Sequence, residues 1–133
     1  MKLLFENWRK YLKEHDSPLL NIGGMPLQVE IASDEESINK GLMFREKLAS
    51  DSGMLFMFPD SAQRSFWMKN TSIPLSIAYV DDAGKILNIE DMEPHDLNGS
   101  SSHGEALCAI ETNKGWFEDN GIQSGDMVEG IPL

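Results

Sequence analysis

A single cysteine, no long apolar run and half as many basic as acidic residues set the first limits on this 133-residue chain. The lone Cys108 cannot close an internal disulfide, which fits a reducing compartment. No apolar stretch reaches the roughly 18–20 residues that a membrane-spanning helix needs. The first residues lack the apolar core and small-residue cleavage site of a secretory signal. With 11 Lys+Arg against 22 Asp+Glu, the net charge of −11 opposes non-specific binding to nucleic-acid phosphates. Neither a glycine-rich phosphate loop nor a serine nucleophile elbow is present. The expectation is a cytoplasmic protein with no membrane span and no nucleic-acid partner.

What is there suits one folded domain: 41% hydrophobic and 25% charged residues are ordinary globular values, and the length allows a real core. The charge is uneven. Residues 1–14 hold Lys2, Arg9, Lys10 and Lys13 against Glu6 and Glu14, net +2, which leaves −13 for the rest. Leu4, Trp8, Tyr11 and Leu12 recur at helical spacing, so an amphipathic helix is predicted over 2–14. Ser17-Pro18 breaks it, and Asn21-Ile22-Gly23-Gly24 reads as a joint. The predicted organisation is a leader helix at 1–16, a linker at 17–24 and a β domain at 25–133.

Within that domain, Leu27, Val29 and Ile31 alternate with Gln28 and Glu30, the pattern of a strand with one buried face. Ser33-Asp34-Glu35-Glu36 reads as a helix start capped by Ser33, with the helix confined to about 34–44. Residues 52–58 are apolar on both faces and predict a central strand, closed by a turn at Pro59-Asp60-Ser61. Strands follow at 64–70, 75–80 and 85–92, the last two joined by the hairpin turn Asp81-Asp82-Ala83-Gly84. Residues 94–104 read as a polar loop, 105–112 as a strand, 113–120 as a short helix and 127–131 as a last strand. Many short strands with few helices give the fold class: mainly β, a compact sandwich or barrel with one or two short helices.

Two stretches go beyond generic pattern. One is Gly41-Leu42-Met43-Phe44-Arg45 followed by Gly53-Met54-Leu55-Phe56; the other is Phe66-Trp67-Met68-Lys69-Asn70-Thr71 followed by Ile73-Pro74-Leu75. With Glu111, Gly115, Gly121-Ile122 and Gly125-Asp126 behind them, they resemble the hallmark of the uncharacterised family DUF192 over about residues 25–131. The resemblance implies a mainly β fold, sometimes classed with the jelly rolls, and implies no activity. Two departures stand out: Ser76 replaces the acid that relatives usually carry after Pro-Leu, and the aromatic often found near Cys108 is missing. The segment 1–14 resembles the leaders of small proteins from T4-like marine phages. Leu4-Phe5-Glu6 and Leu12-Lys13-Glu14 match the tripeptide after which such leaders are removed. That resemblance implies an address into the phage head that docks on a protein scaffold; the plain alternative is a stripe that packs on the domain or on another copy.

The candidate ligand site is Arg45, Trp67, Lys69, Asn70 and Thr71, with Asp96 as a further polar group. On a strand Trp67 and Lys69 would share a face, and an indole wall beside ammonium and guanidinium groups could grip a small anionic or sugar-like ligand. The plain structural reading has Trp67 plugging the sheet and Lys69 reaching past it to water. His95, Asp96 and His103 match no strong metal spacing, so no metal and no cofactor is expected. Cys108 reads as a buried apolar residue rather than a nucleophile. The leading functional reading is a non-catalytic binding or accessory module; a small enzyme using the same cleft and a head-packaged phage protein are the alternatives.

Overall fold

The computed structural model describes residues 18–131. The predicted leader helix, with its phage-like tripeptides, lies outside the described residues. The elements in chain order are β1 (Leu19–Ile22), β2 (Met25–Ala32), α1 (Glu35–Lys40), β3 (Ser52–Phe66), β4 (Leu75–Val80), β5 (Ile86–Met92), β6 (Ser100–Asn113), α2 (Trp116–Asp119) and β7 (Val128–Glu129). All seven strands belong to one sheet, in the spatial order β5-β4-β6-β3-β2-β1-β7. Every pairing is antiparallel except β2–β3, whose parallel register needs the crossover that carries α1.

The sheet curls into a half-barrel. Its two ends approach each other: the Ile86 N–H donates to the Asp126 carbonyl at 2.9 Å, the Gly125 N–H donates to the Ile86 carbonyl at 2.8 Å, and Lys85 bridges to Met127. Curling puts Leu20 and Val128 from one end and Ile86 from the other into one apolar cluster with Leu55, Ala78, Cys108 and Ile110. Trp116 and Phe117 of α2 belong to the same cluster. The opposite face carries a second cluster around Phe56, Ile77, Tyr79 and Ala109. Leu42, Met68 and Ile73 cover it from the irregular segments, and Met92 from the end of β5. Side chains alternate between faces along each strand, so β4, residues 53–58 of β3 and residues 106–110 of β6, buried on both sides, are apolar nearly throughout.

Register brings residues far apart in sequence into rows across the second face. One row runs Glu30, Met54, Glu111, Ile77, Glu90 from β2 to β5. A carboxyl thus stands at the centre of the sheet, flanked by two apolar side chains.

Several expectations are corrected. Leu19–Ile22, read as part of a linker, is a strand with Leu20 and Ile22 fully buried. Gly23 and Gly24, at φ of +54° and +90°, form the two-residue turn that pairs it with β2. Pro59-Asp60-Ser61 does not end a strand: β3 continues through it, with its register to β6 shifted between Met57 and Ala62. The strand expected over 64–70 stops at Phe66. The loop expected to reach residue 104 ends where β6 begins at Ser100. The cap of α1 is Asp34 rather than Ser33. Asp34 accepts from the Ser37 N–H at 2.7 Å, and the Ser37 hydroxyl accepts from the Asp34 N–H at 3.2 Å.

Candidate functional site: a cavity between α1 and β3

Three irregular segments meet beside the second face. The Phe44 N–H donates to the Asn70 carbonyl at 2.9 Å, and the Ser72 hydroxyl donates to the Arg45 carbonyl at 3.0 Å. From the other side, the Met68 N–H donates to the Asp96 carbonyl at 2.8 Å, and the His95 N–H donates to the Thr71 carbonyl at 3.1 Å. Residues 67–72 are therefore held between the turn after α1 and the loop before β6. Phe44, Asn70 and His95, one in each segment, adopt positive φ although none is glycine. Such backbone persists only where surrounding contacts over-determine it.

Between α1 with its following turn and the far half of β3 lies a cavity of about 320 Å³. Residues 38–43 form one wall and residues 63–67 the other, with Phe56, Phe58, Thr71 and Glu111 completing the lining. The volume falls at the small end of small-molecule sites. Trp67 is 50% exposed, so it is not a plug of the sheet. Lys40 lines the cavity with no ion pair among the described residues. Arg64 lines it as well, with its guanidinium 4.0 Å above the Phe58 ring, Nη2 2.9 Å from Asp60 Oδ1 and Nε donating to the Ala106 carbonyl at 3.2 Å.

Glu111 is the exceptional member. It is 4% exposed, and its carboxyl has no hydrogen bond or ion pair among the described residues. Its neighbours across the sheet are Met54 on β3 and Ile77 on β4. Burial away from water disfavours the charged form and pushes its pKa from the ordinary 4.5 up to about 8. The carboxyl is accordingly neutral at neutral pH, a donor as well as an acceptor. Burial likewise pushes Tyr79, whose hydroxyl donates to the Ser100 carbonyl at 3.0 Å, up to about 12.

The residues expected to form the site divide. Trp67 and Thr71 line the cavity. Trp67 and Lys69 share no strand face, since β3 has ended before them; even so, Lys69 Nζ lies 5.3 Å from the Trp67 ring centroid, within cation–π range. Arg45 is engaged elsewhere, in a two-pronged ion pair with Glu30 at 2.5 and 2.9 Å. Asn70 contributes its backbone to the scaffold. Asp96 accepts from the Asn98 N–H at 2.9 Å and closes its own loop. Among the described residues no group of acids, histidines and cysteine is placed to hold a metal, and His103 lies 3.6 Å from Glu90 at the surface. Cys108 is buried on the opposite face of the sheet, and burial pushes its thiol up to about 12. Ser76, which stands where an acid was expected, donates to Asp91 Oδ1 at 2.7 Å and accepts from the Gly115 N–H at 3.0 Å. Lys40, Arg64 and Glu111 were not recognised as site residues. For Glu111 the sequence signal is an acid that directly follows the apolar run Ala106-Leu107-Cys108-Ala109-Ile110.

Residues 19–130 match the family described as DUF192, Uncharacterized ACR, COG1430. The chain belongs to DUF192. Among solved structures, it is similar to a protein from Sinorhizobium meliloti 1021 named as a candidate transcription regulator. That likeness has 32% identity and a TM-score of 0.84 over 90% of this chain and 97% of the other. It is also similar to a protein of unknown function from Novosphingobium aromaticivorans DSM 12444, at 34% identity and a TM-score of 0.77 over 84% of each chain. Among curated proteins, none matches the chain. The DUF192 match spans β1 through β7, so the cavity and both apolar faces lie inside the family region. No helix among the described residues is long and apolar enough to cross a membrane.

Proposed function

We propose that this DUF192 domain is a non-catalytic binding module that takes a small organic anion in the cavity between α1 and β3. The observation that carries this reading is the pairing of a half-exposed indole, Trp67, with the cations Lys40 and Arg64 around one concavity. Aromatic walls hold a carbon skeleton, and cations supply charge to a carboxylate or phosphate. Arg64 is paired with Asp60, but Lys40 has no ion pair among the described residues, so it puts local positive charge on a cavity of an otherwise acidic chain. A catalytic reading is less well supported. Its one thiol faces the other side of the sheet, and nothing in the cavity pairs a nucleophile with a base.

Titration of the protein with benzoate, followed by amide chemical shifts, tests the reading. Shifts are expected at Lys40, Trp67 and Thr71, and Trp67→Ala is expected to weaken binding at least about tenfold while costing no more than about 1 kcal/mol of stability, since half of the ring is already in water. A Trp67→Ala protein that binds benzoate as tightly as the wild type would contradict the reading. So would shifts that avoid the cavity.

A further inference from the structure

The anion-binding reading leaves Glu111 unexplained, because an acid at the base of an anion site repels its ligand when ionised. We propose that the cavity takes a small organic carboxylate together with one proton held on Glu111, so that the neutral acid donates a hydrogen bond to the ligand and its ionisation expels it. This deepens the binding-module reading and rests on it.

Glu111 projects from near the C-terminal end of β6 on the second face, 4% exposed, lines the cavity, and has no partner among the described residues. A buried polar group without a partner costs stability, so its retention calls for a partner supplied from outside. The charged and titratable groups around it come from five elements. Lys40 ends α1 and Arg64 lies on β3, both lining the same cavity. Tyr79 on β4 is buried on the same face and engaged with Ser100. Glu30 on β2 and Glu90 on β5 stand in the same cross-sheet row, the first neutralised by Arg45. Among the described residues no cation pairs with Glu111 itself.

A carboxylate ligand supplies what is missing. One of its oxygens accepts from the Glu111 O–H, its charge faces Lys40 and Arg64, and its carbon skeleton lies among Phe56, Phe66 and Trp67. A neutral acid kept protonated by an apolar site so that it can donate is an established physical device. Above the pH at which Glu111 ionises, two carboxylates would share a low-dielectric cavity, and the ligand leaves. A phosphate is the poorer fit, since its larger charge would have to be desolvated against Lys40, the one cavity cation without an ion pair among the described residues.

Calorimetric titration of the full chain with benzoate at pH 6.5 and pH 9.0, with inorganic phosphate as comparator, tests the proposal. The wild type is expected to bind benzoate about tenfold more weakly at pH 9.0, in keeping with one proton lost per site above pH 8. Glu111→Gln, whose amide still donates, is expected to bind within about threefold of the wild type at pH 6.5 and equally at pH 9.0. Equal wild-type affinity at the two pH values would overturn the proton linkage and leave the binding module standing. Absence of benzoate binding by both proteins at both pH values would overturn the module itself. Phosphate bound as tightly as benzoate would overturn the carboxylate class. Circular dichroism of the Gln variant confirms that each outcome is read on a folded protein.

Discussion

Raising the pH from 5 to 9 is expected to destabilise the wild-type protein by on the order of 4 kcal/mol and to leave Glu111→Gln nearly unchanged. The cause is the buried carboxyl, pushed from 4.5 up to about 8 by loss of hydration. In that interval the folded chain binds a proton that the unfolded chain has released, so stability falls as pH rises. The contribution is fully present below pH 4.5 and is gone once the pH has passed about 8. Burial raises both Cys108 and Tyr79 to about 12, and they add a loss of the same sign from about pH 8 and about pH 9 upward respectively, where their unfolded counterparts begin to ionise. Urea unfolding at pH 5, 7 and 9 measures the effect. At pH 9 the Gln variant is expected to be the more stable protein, an unusual result for a substitution at the centre of a sheet. Parallel pH profiles for the two proteins would show that Glu111 is not held neutral by the fold.

Replacing Gly99 by alanine is expected to cost on the order of 3 kcal/mol and to displace Trp67. Gly99 has a φ of +58°, and a Cβ there would lie 1.7 Å from the Phe66 carbonyl oxygen and 2.7 Å from the Trp67 Cα. These neighbours are backbone and cannot swing aside. The loop before β6 therefore has to retreat from the end of β3, taking with it the carbonyl of Asp96 that receives the Met68 N–H. Gly121→Ala is the control. Its φ of +70° imposes similar backbone strain, but nothing lies within 4 Å of the added carbon, so about 1 kcal/mol is expected. Thermal unfolding separates the two costs. Indole fluorescence reports whether Trp67 has moved in the first variant and not in the second. Equal stability of the two alanine variants would mean that the close approach at Gly99 has no energetic weight.

How much of this was legible in the sequence depended on whether the deciding interaction was local. Period-2 alternation announced β2, and the dense apolar run at 52–58 announced a strand covered on both faces, because each follows from side-chain direction along one strand. β1 differs from the expected joint because turn chemistry decides it: Leu20 and Ile22 alternate with Asn21 directly before Gly23-Gly24, which is a hairpin pattern. The passage of β3 through Pro59 could not be read locally, since it depends on how β6 tolerates a shifted register. The long motif from Phe66 to Thr71 supplies Phe66, Trp67 and Thr71 to the cavity lining, mostly as an irregular segment and not as a strand.

The site residues divide along the same line. Trp67 and Thr71 sit in one short motif and could be found there. Arg45 could not be placed without knowing that β2 presents Glu30 to it, 15 residues away in sequence. Lys40 and Arg64 come together only because the β2–β3 crossover lays α1 beside the far half of β3. Glu111 joins them through the register of β6 against β3. These are long-range facts, set by sheet topology, and no window of sequence contains them.

The most direct test of the account is diffraction from crystals soaked in benzoate at pH 6.5. The account predicts density for the ligand in the cavity between α1 and β3, with a carboxylate oxygen at hydrogen-bonding distance, about 2.5–2.7 Å, from a Glu111 carboxyl oxygen and the ring against Trp67. An empty cavity at a benzoate concentration that saturates the protein in solution, or ligand density on another surface, would contradict it.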